Sequence, residues 1–266
     1  MPEDLTWLDA GAFLAFLVIW FGYGALFDGR FRRPNSINAR MIGIREAWMM
    51  RLLDRDNRIT DTTLVGHSIR SVTFFASTTL ILIAALVGVL GSAERVHSAT
   101  LNLSVLFGGG TQALFELKVF LVVAIFVYAF FKFTWAIRQF NYFAAAIGSA
   151  PLAGSPALDR TFARRMALML SHGFWHFNAG VRAYYFALAA LAWFIHPLLF
   201  IAATVLITII LIRRQLYSAT ARDIAEHAEA LAAAPAASSP PHRRTAFRRT
   251  GPRRPRMKVS SPKPGP

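Results

Sequence analysis

The sequence predicts an all-α fold: a polytopic bundle of transmembrane helices carrying amphipathic helices on its cytoplasmic side. Three observations lead there: an excess of apolar residues, their gathering into runs of spanning length, and an uneven placement of Arg and Lys. Of the 266 residues 55% are hydrophobic and 13% aromatic, and the mean hydropathy is +0.42. A water-soluble fold of this size cannot cover so much apolar surface, whereas a bilayer removes the need to cover it.

A helix crosses the hydrocarbon core with about 20 mostly apolar residues. The first such run is 5–27, with Trp7 and Tyr23 near its ends as interfacial aromatics. The second is 71–93, between Arg70 and Glu94, and the third is 117–137, interrupted only by Lys118 and Lys132. A fourth apolar region, 183–212, would be about 45 Å long as one helix, too long for an upright span. His196-Pro197 lies near its middle. Proline suits the first position of a new helix and disfavours helical geometry in the residue before it. A hairpin there gives two spans, 179–195 and 197–213; a kinked single helix gives one.

Charge arbitrates. No Lys or Arg precedes the first run, while 28–70 carries Arg30, Arg32, Arg33, Arg40, Arg45, Arg51, Arg55, Arg58 and Arg70. The next connection, 94–116, has Arg95 alone, and 138–182 again carries five Arg against Asp159. The positive-inside rule therefore places the N-terminus outside and both basic segments in the cytoplasm. The net charge is +15; from Ser238 onward nine basic residues and no acid supply much of it. A cytoplasmic basic tail requires an even number of crossings after the third, which favours five spans; four is the alternative. Residues 1–234 form the helical membrane domain in this reading. The Pro-, Ser-, Ala- and Arg-rich stretch 235–266 cannot build a core and is expected to be disordered. The acidic start, Glu3-Asp4, lacks the basic region of a signal peptide, so the first span is expected to stay as an anchor.

The cytoplasmic segments are patterned. Ile37, Met41, Ile44, Trp48 and Leu52 recur at helical spacing after Pro34-Asn35-Ser36, which predicts an amphipathic helix whose bland role is to lie along the membrane surface. Its polar residues, Asn38, Arg40, Arg45, Arg51 and Arg55, fall on other faces. Phe162, Met166, Met169, Gly173 and Phe177 repeat the pattern, and 148–156 reads as a Gly/Pro/Ser/Ala-rich loop. A helical extension after Arg213 is expected to reach about Ala234.

Several strings, in order, carry a resemblance. They are Asp56-Asn57-Arg58-Ile59 with Asp61; Ser71 followed by Phe74-Phe75-Ala76-Ser77-Thr78-Thr79; Ala129-Phe130-Phe131-Lys132-Phe133-Thr134-Trp135; Arg138-Gln139-Phe140-Asn141-Tyr142; and Phe177-Asn178-Ala179-Gly180-Val181-Arg182-Ala183-Tyr184-Tyr185-Phe186. Over roughly residues 5 to 220 the chain resembles domain of unknown function family 599, membrane proteins of bacteria and plants. The resemblance implies a membrane protein and no particular activity; the basic tail lies outside it.

Polar residues in or beside hydrocarbon are the candidate sites. Ser71, Ser77, Thr78 and Thr79 give the second span a hydroxyl-rich seam, read either as helix packing or as an ion or ligand path. Lys132 can snorkel to the interface, pair with Asp61, or hold an anion. Lys118 with Glu116 reads as an interfacial anchor. Asp54 and Arg58, four apart, can pair on one helix face. Arg58, Arg138 and Arg182 all lie near cytoplasmic span ends. With Asn57, Asp61, Asn141 and Asn178 as polar partners they are expected to converge, as an ion-pair network or as a site for a lipid phosphate or anionic substrate. His172 and His176 have the spacing of two metal ligands, but the intervening Gly173-Phe174-Trp175 lacks the Glu of a zinc hydrolase helix. No metal, cofactor or catalytic residue is assigned.

Asn102-Leu103-Ser104 matches a glycosylation pattern without meaning for a bacterial protein. Gly108-Gly109-Gly110 lacks the Lys and Ser/Thr of a phosphate loop, and there is no cysteine. The function classes left are a membrane scaffold or accessory protein, then a small transporter or channel, then a membrane enzyme acting on lipid headgroups. The expected partners are membrane lipids, with anionic headgroups for the tail, and a second copy or a partner membrane protein. The membrane tether argues against nucleic acid as the tail's partner.

Overall fold

The structure, a computed structural model, describes residues 5–27, 35–96, 111–151, 159–233 and 265. The regions around Ser98, Asn102, Gly108 and Ser155, Arg30, Arg32 and Arg33, and the basic stretch 235–264 lie outside the described residues.

Among the described residues the fold is all-α. The helices are α1 (Trp7–Phe27), α2 (Ile37–Leu53), α3 (Ile59–Gly91), α4 (Gln112–Ser149), α5 (Arg160–Leu191), α6 (Pro197–Leu216) and α7 (Ala219–Ala233), with a short 3₁₀ turn, Ala192–Phe194, between α5 and α6. Helix starts follow capping chemistry. Ser36 Oγ accepts from Ala39 N, Thr111 Oγ1 from Leu114 N, and Asp159 Oδ1 from Phe162 N. His196 Nδ1 accepts from Leu198 N, and Pro197 takes the first helical position of α6.

Helices α1, α3, α4 and α6 are long and apolar enough to cross a membrane. The chain is therefore a membrane protein, and its helices run past the apolar stretches that mark them in sequence. With 33 and 38 residues, α3 and α4 are about 50 and 57 Å long against a hydrocarbon core of about 30 Å. Helix α4 continues to Ser149, so the loop expected from Gly148 begins only at Ala150.

Helix α5 stands in the middle, packed on α4, α2 and α6. Arg214 Nη1 donates to Tyr185 Oη at 3.3 Å. On one continuous helix these residues would be about 43 Å apart, so the chain reverses at His196-Pro197 and α6 runs back along α5. Phe133 and Phe140 of α4 press against Gly180 and Gly173 of α5 respectively, a reversed order that makes this pair antiparallel too. Helix α3 returns along α4: Arg58 meets Ala150, and Phe75 stacks on Phe133 at 5.6 Å. Helix α1 packs against α6 and reaches α5 through aromatic side chains, Phe16 and Trp20 against Phe186.

Lipid is as apolar as the helices, so burial alone does not join them, and small residues that allow close approach do. Gly173, Gly180, Ala183, Ala187 and Ala190 give α5 that character, all of them buried. The bundle has two ends. One holds Asp9, Thr111 and Trp193; the other holds Tyr23, Arg182 and the polar extension built from α2, α7 and the near ends of α3, α4 and α5.

Candidate anion-binding site

Helix α2 docks on α5 by a side that takes in Asn38 and Arg45, which the periodicity put on other faces, together with Leu52 of the apolar stripe. Its buried residues are Asn38, Arg45, Glu46, Met49, Leu52 and Leu53, while Ile37, Met41, Ile44 and Trp48 are only half-buried. The reason is local: the N-terminal half of α5 offers polar partners. Arg45 Nη1 donates to Ser171 Oγ at 3.0 Å, and its guanidinium lies 4.5 Å from the centre of the Phe174 ring. Burial pulls the Arg45 guanidinium down to about 10, so it stays charged at neutral pH. Glu46 accepts from Arg160 Nε at 2.6 Å, which raises the Arg160 pKa. Asn38 Oδ1 accepts from Asn178 Nδ2 at 3.2 Å.

Beyond this contact a half-open pocket of about 200 Å³ lies between α1, α2, α5 and α6. By the liquid volume of water that is room for about six waters. Tyr23, Asn38, Asn178, Arg182, Tyr185, Arg214 and Gln215 supply its polar wall, and among the described residues no Asp or Glu lines it. Arg182 is 6% exposed, its guanidinium 5.1 Å from the Tyr23 ring centre. Asn38 is 5% exposed, and its Nδ2 has no hydrogen-bond partner. A buried amide N–H₂ without a partner is costly. The Gln215 Oε1 is likewise unpartnered; a half-turn of that amide presents its N–H₂ instead. Two guanidiniums, an orphan amide donor and two phenols thus share this wall, a donor set whose chemistry suits an anion.

The three arginines expected to converge do not. Only Arg182, with Asn178, reaches this pocket. Arg58 instead caps the end of α4, donating to Ala150 O at 2.8 Å and Pro151 O at 2.6 Å. Helix α2 ends at Leu53 and α3 begins at Ile59, so Asp54 and Arg58 share no helix face. Asn57 Oδ1 accepts from Ile59 N. Arg138 is exposed on α4, where its Nε donates to Tyr142 Oη at 2.8 Å; Asn141 is exposed beside it.

Asp61 is fully buried, but its partners are Arg55 Nη1 at 2.9 Å and Trp48 Nε1 at 2.7 Å, not Arg58 or Lys132. Lys132 Nζ lies 5.2 Å from the Tyr128 ring centre. The hydroxyl seam of α3 does not line one path, because each residue turns the helix by about 100°. Ser71 and Ser77 are exposed and Thr78 half-buried, while Thr79 is buried, 2.7 Å from Tyr184 Oη. Ser71 donates to the His67 carbonyl of its own helix. His172 packs on Trp175 and His176 on Trp135. Among the described residues no group of three His, Cys, Asp or Glu is placed to hold a metal ion.

Asn38 and Arg214 escaped the sequence reading. The signal for Asn38 is the heptad Asn38, Arg45, Leu52, which ends on the apolar stripe and marks the docked face. Arg214 carried no distinguishing signal among the basic residues that close a span. Asp9 was also missed: it is 4% exposed, and its Oδ1 accepts from Trp193 Nε1 at 2.8 Å.

The family model described as "Protein of unknown function, DUF599" matches residues 12–220, most of the chain. No curated protein and no solved structure matches it.

Proposed function

The chain belongs to the DUF599 family, a membership that brings no activity with it, and from the geometry we propose a membrane scaffold that holds an anionic lipid phosphate at its cytoplasmic end. The observation that carries the reading is the Asn38 Nδ2, buried and unpartnered, at the wall of a pocket that also takes Arg182 and Arg214. A phosphate oxygen there would accept from the amide, and the guanidiniums would supply charge-assisted, two-pronged contacts. The orientation that goes with it counts α5, antiparallel to α4 and α6, as a crossing beside the four helices long and apolar enough for one, which makes five crossings of the bacterial inner membrane, with the N-terminus outside and the tail in the cytoplasm. The Arg-rich connections support that orientation, and so does the hairpin at His196-Pro197.

The test is native mass spectrometry of the full chain purified in mild detergent, after exposure to phosphatidylglycerol or phosphatidylcholine. Wild type is expected to retain phosphatidylglycerol preferentially. Arg182→Lys, which cannot form the planar fork, and Asn38→Leu are each expected to lower retention about tenfold, a cost of about 1.4 kcal/mol. Inorganic phosphate in competition separates a free-anion site from a lipid site. Equal retention of the two lipids, unchanged by either substitution, would overturn the proposal.

A further inference from the structure

Helix α1 keeps close company with α6 but stands away from α4. Between α1 and α4 runs a groove of about 560 Å³, open along one side. Its walls are apolar: Ala10, Phe13 and Leu17 from α1 face Leu117, Phe120 and Ala124 from α4. Asp9 touches it at one end, but that carboxylate is already engaged by Trp193 and by Thr6, whose Oγ1 donates to Asp9 Oδ2 at 2.6 Å. Trp20 and Tyr128, edge to face at 5.2 Å, stand at the other end.

We infer that this groove holds one hydrocarbon chain of a membrane lipid, entering from the Asp9 end and stopping at the Trp20–Tyr128 pair. The inference rests on the chain being a membrane protein and is independent of the anion pocket at the opposite end. Three dimensions select this occupant. The groove follows α1 from Leu5 to Trp20, about 22 Å. One leaflet of the hydrocarbon core is about 15 Å deep, so a whole chain fits along it and the tip passes the midplane. A helix of a second copy is about 10–12 Å across, and 22 Å of it would fill about 2,000 Å³, several times the groove. The side opening faces the surroundings of the bundle, where Phe21 and Phe120 are each 61% exposed; in a bilayer those surroundings are lipid. Water is no rival, because an apolar cavity of this kind offers it no partners.

Lys118 stands at the Asp9 end, its Nζ 5.7 Å from the Trp193 ring centre, and its charge is balanced by the Asp9 carboxylate, so the groove is read by its apolar walls. An acyl chain of a phospholipid and a polyisoprenyl chain of a carrier lipid share the chemistry that the groove reads.

The test uses the full chain reconstituted in phosphatidylethanolamine–phosphatidylglycerol vesicles. These are doped with a phospholipid bearing a diazirine at its acyl terminus, or with one bearing it near the ester. The chain-end probe is expected to label peptides holding Trp20, Phe21 and Tyr128, and the ester-proximal probe those holding Leu5 to Ala10 and Leu117. Ala10→Trp and Ala124→Trp place bulk in the groove from two exposed positions. Each is expected to cut this labelling at least fivefold while leaving labelling of the exposed α3 face at Phe74 and Ile81 unchanged. If one variant fails to fold, the other carries the comparison. The occupant is the acyl chain of a phospholipid, so unlabelled phospholipid added in excess is expected to displace the probe, and displacement by polyprenyl phosphate alone would overturn that assignment. Arg182→Gln is expected to leave groove labelling intact, which keeps failure of the anion site distinct from failure of the groove. Labelling that is uniform over α1, α3 and α4, or unaffected by both tryptophans, would overturn the inference.

Discussion

Replacing Gly180 by alanine tests the α4–α5 contact, on which the rest of the bundle is built. An alanine Cβ there would lie 2.5, 2.7 and 2.8 Å from three carbons of the Phe133 ring. Carbon atoms settle at about 3.5–4.0 Å, so the methyl overlaps the ring by about 1 Å. The ring cannot swing away: Phe133 is fully buried and hemmed by Phe75, Phe177 and Tyr184. Overpacking of this kind costs about 1–3 kcal/mol, and three simultaneous overlaps put it near the upper end. Alanine returns about 1 kcal/mol as the better helix former, leaving a net loss of about 2 kcal/mol. At about 2–4 °C per kcal/mol for a chain of this size, Tm should fall by about 4–8 °C. Thermal unfolding in detergent, followed by intrinsic fluorescence, reads it. Gly66 is the control, since a Cβ there meets nothing within 4 Å, and Gly66→Ala should hold or raise Tm. Adding Phe133→Leu to Gly180→Ala should recover part of the loss, with a double-mutant coupling of about 1 kcal/mol or more. A Gly180→Ala protein as stable as wild type, with no coupling to position 133, would refute the packing of α4 on α5.

Three further outcomes are expected. Asp61→Ala strands the Trp48 N–H and frees Arg55, so it should cost about 2–3 kcal/mol; Asp61→Asn keeps an acceptor for Trp48 and should cost about half as much by the same unfolding assay. Because the chain has no cysteine, single cysteines at positions 98, 155 and 240 report sidedness. In intact cells an impermeant maleimide should label only position 98, and labelling at 240 would remove the five-crossing orientation. A peptide of residues 235–266 should bind anionic vesicles and leave them as salt is raised, with nine charges at about 1 kcal/mol each as the ceiling. Equal binding to neutral vesicles would contradict that role.

What the sequence makes legible is what depends on hydrocarbon. The apolar runs around Phe16, Phe75, Phe126 and Ile207 each became a helix, because a spanning segment must satisfy its backbone within itself and must be apolar where lipid touches it. His196-Pro197 reads correctly as a helix start for the same local reason: proline needs no N–H donor there and the histidine side chain caps the turn. Legibility fails where protein replaces lipid as the neighbour. Asn38 and Arg45 read as solvated because periodicity ranks residues by apolarity, yet Asn178, Ser171 and Phe174 make a polar seat for them that no one-chain pattern encodes. Arg58 was read as a partner for carboxylates, but the carbonyls at the end of α4 were closer in space and equally in need of donors. Arg182 alone of the three arginines reached a pocket, and the difference is its position. Four residues after Asn178 on the same helix, it faces α1 and α6 at the level where α2 docks. Arg138, on α4, is exposed, and its Nε donates to Tyr142 of the same helix. A guanidinium reaches a pocket here when several helices close around it. That condition depends on which helices become neighbours, and charge counts along the chain do not contain it.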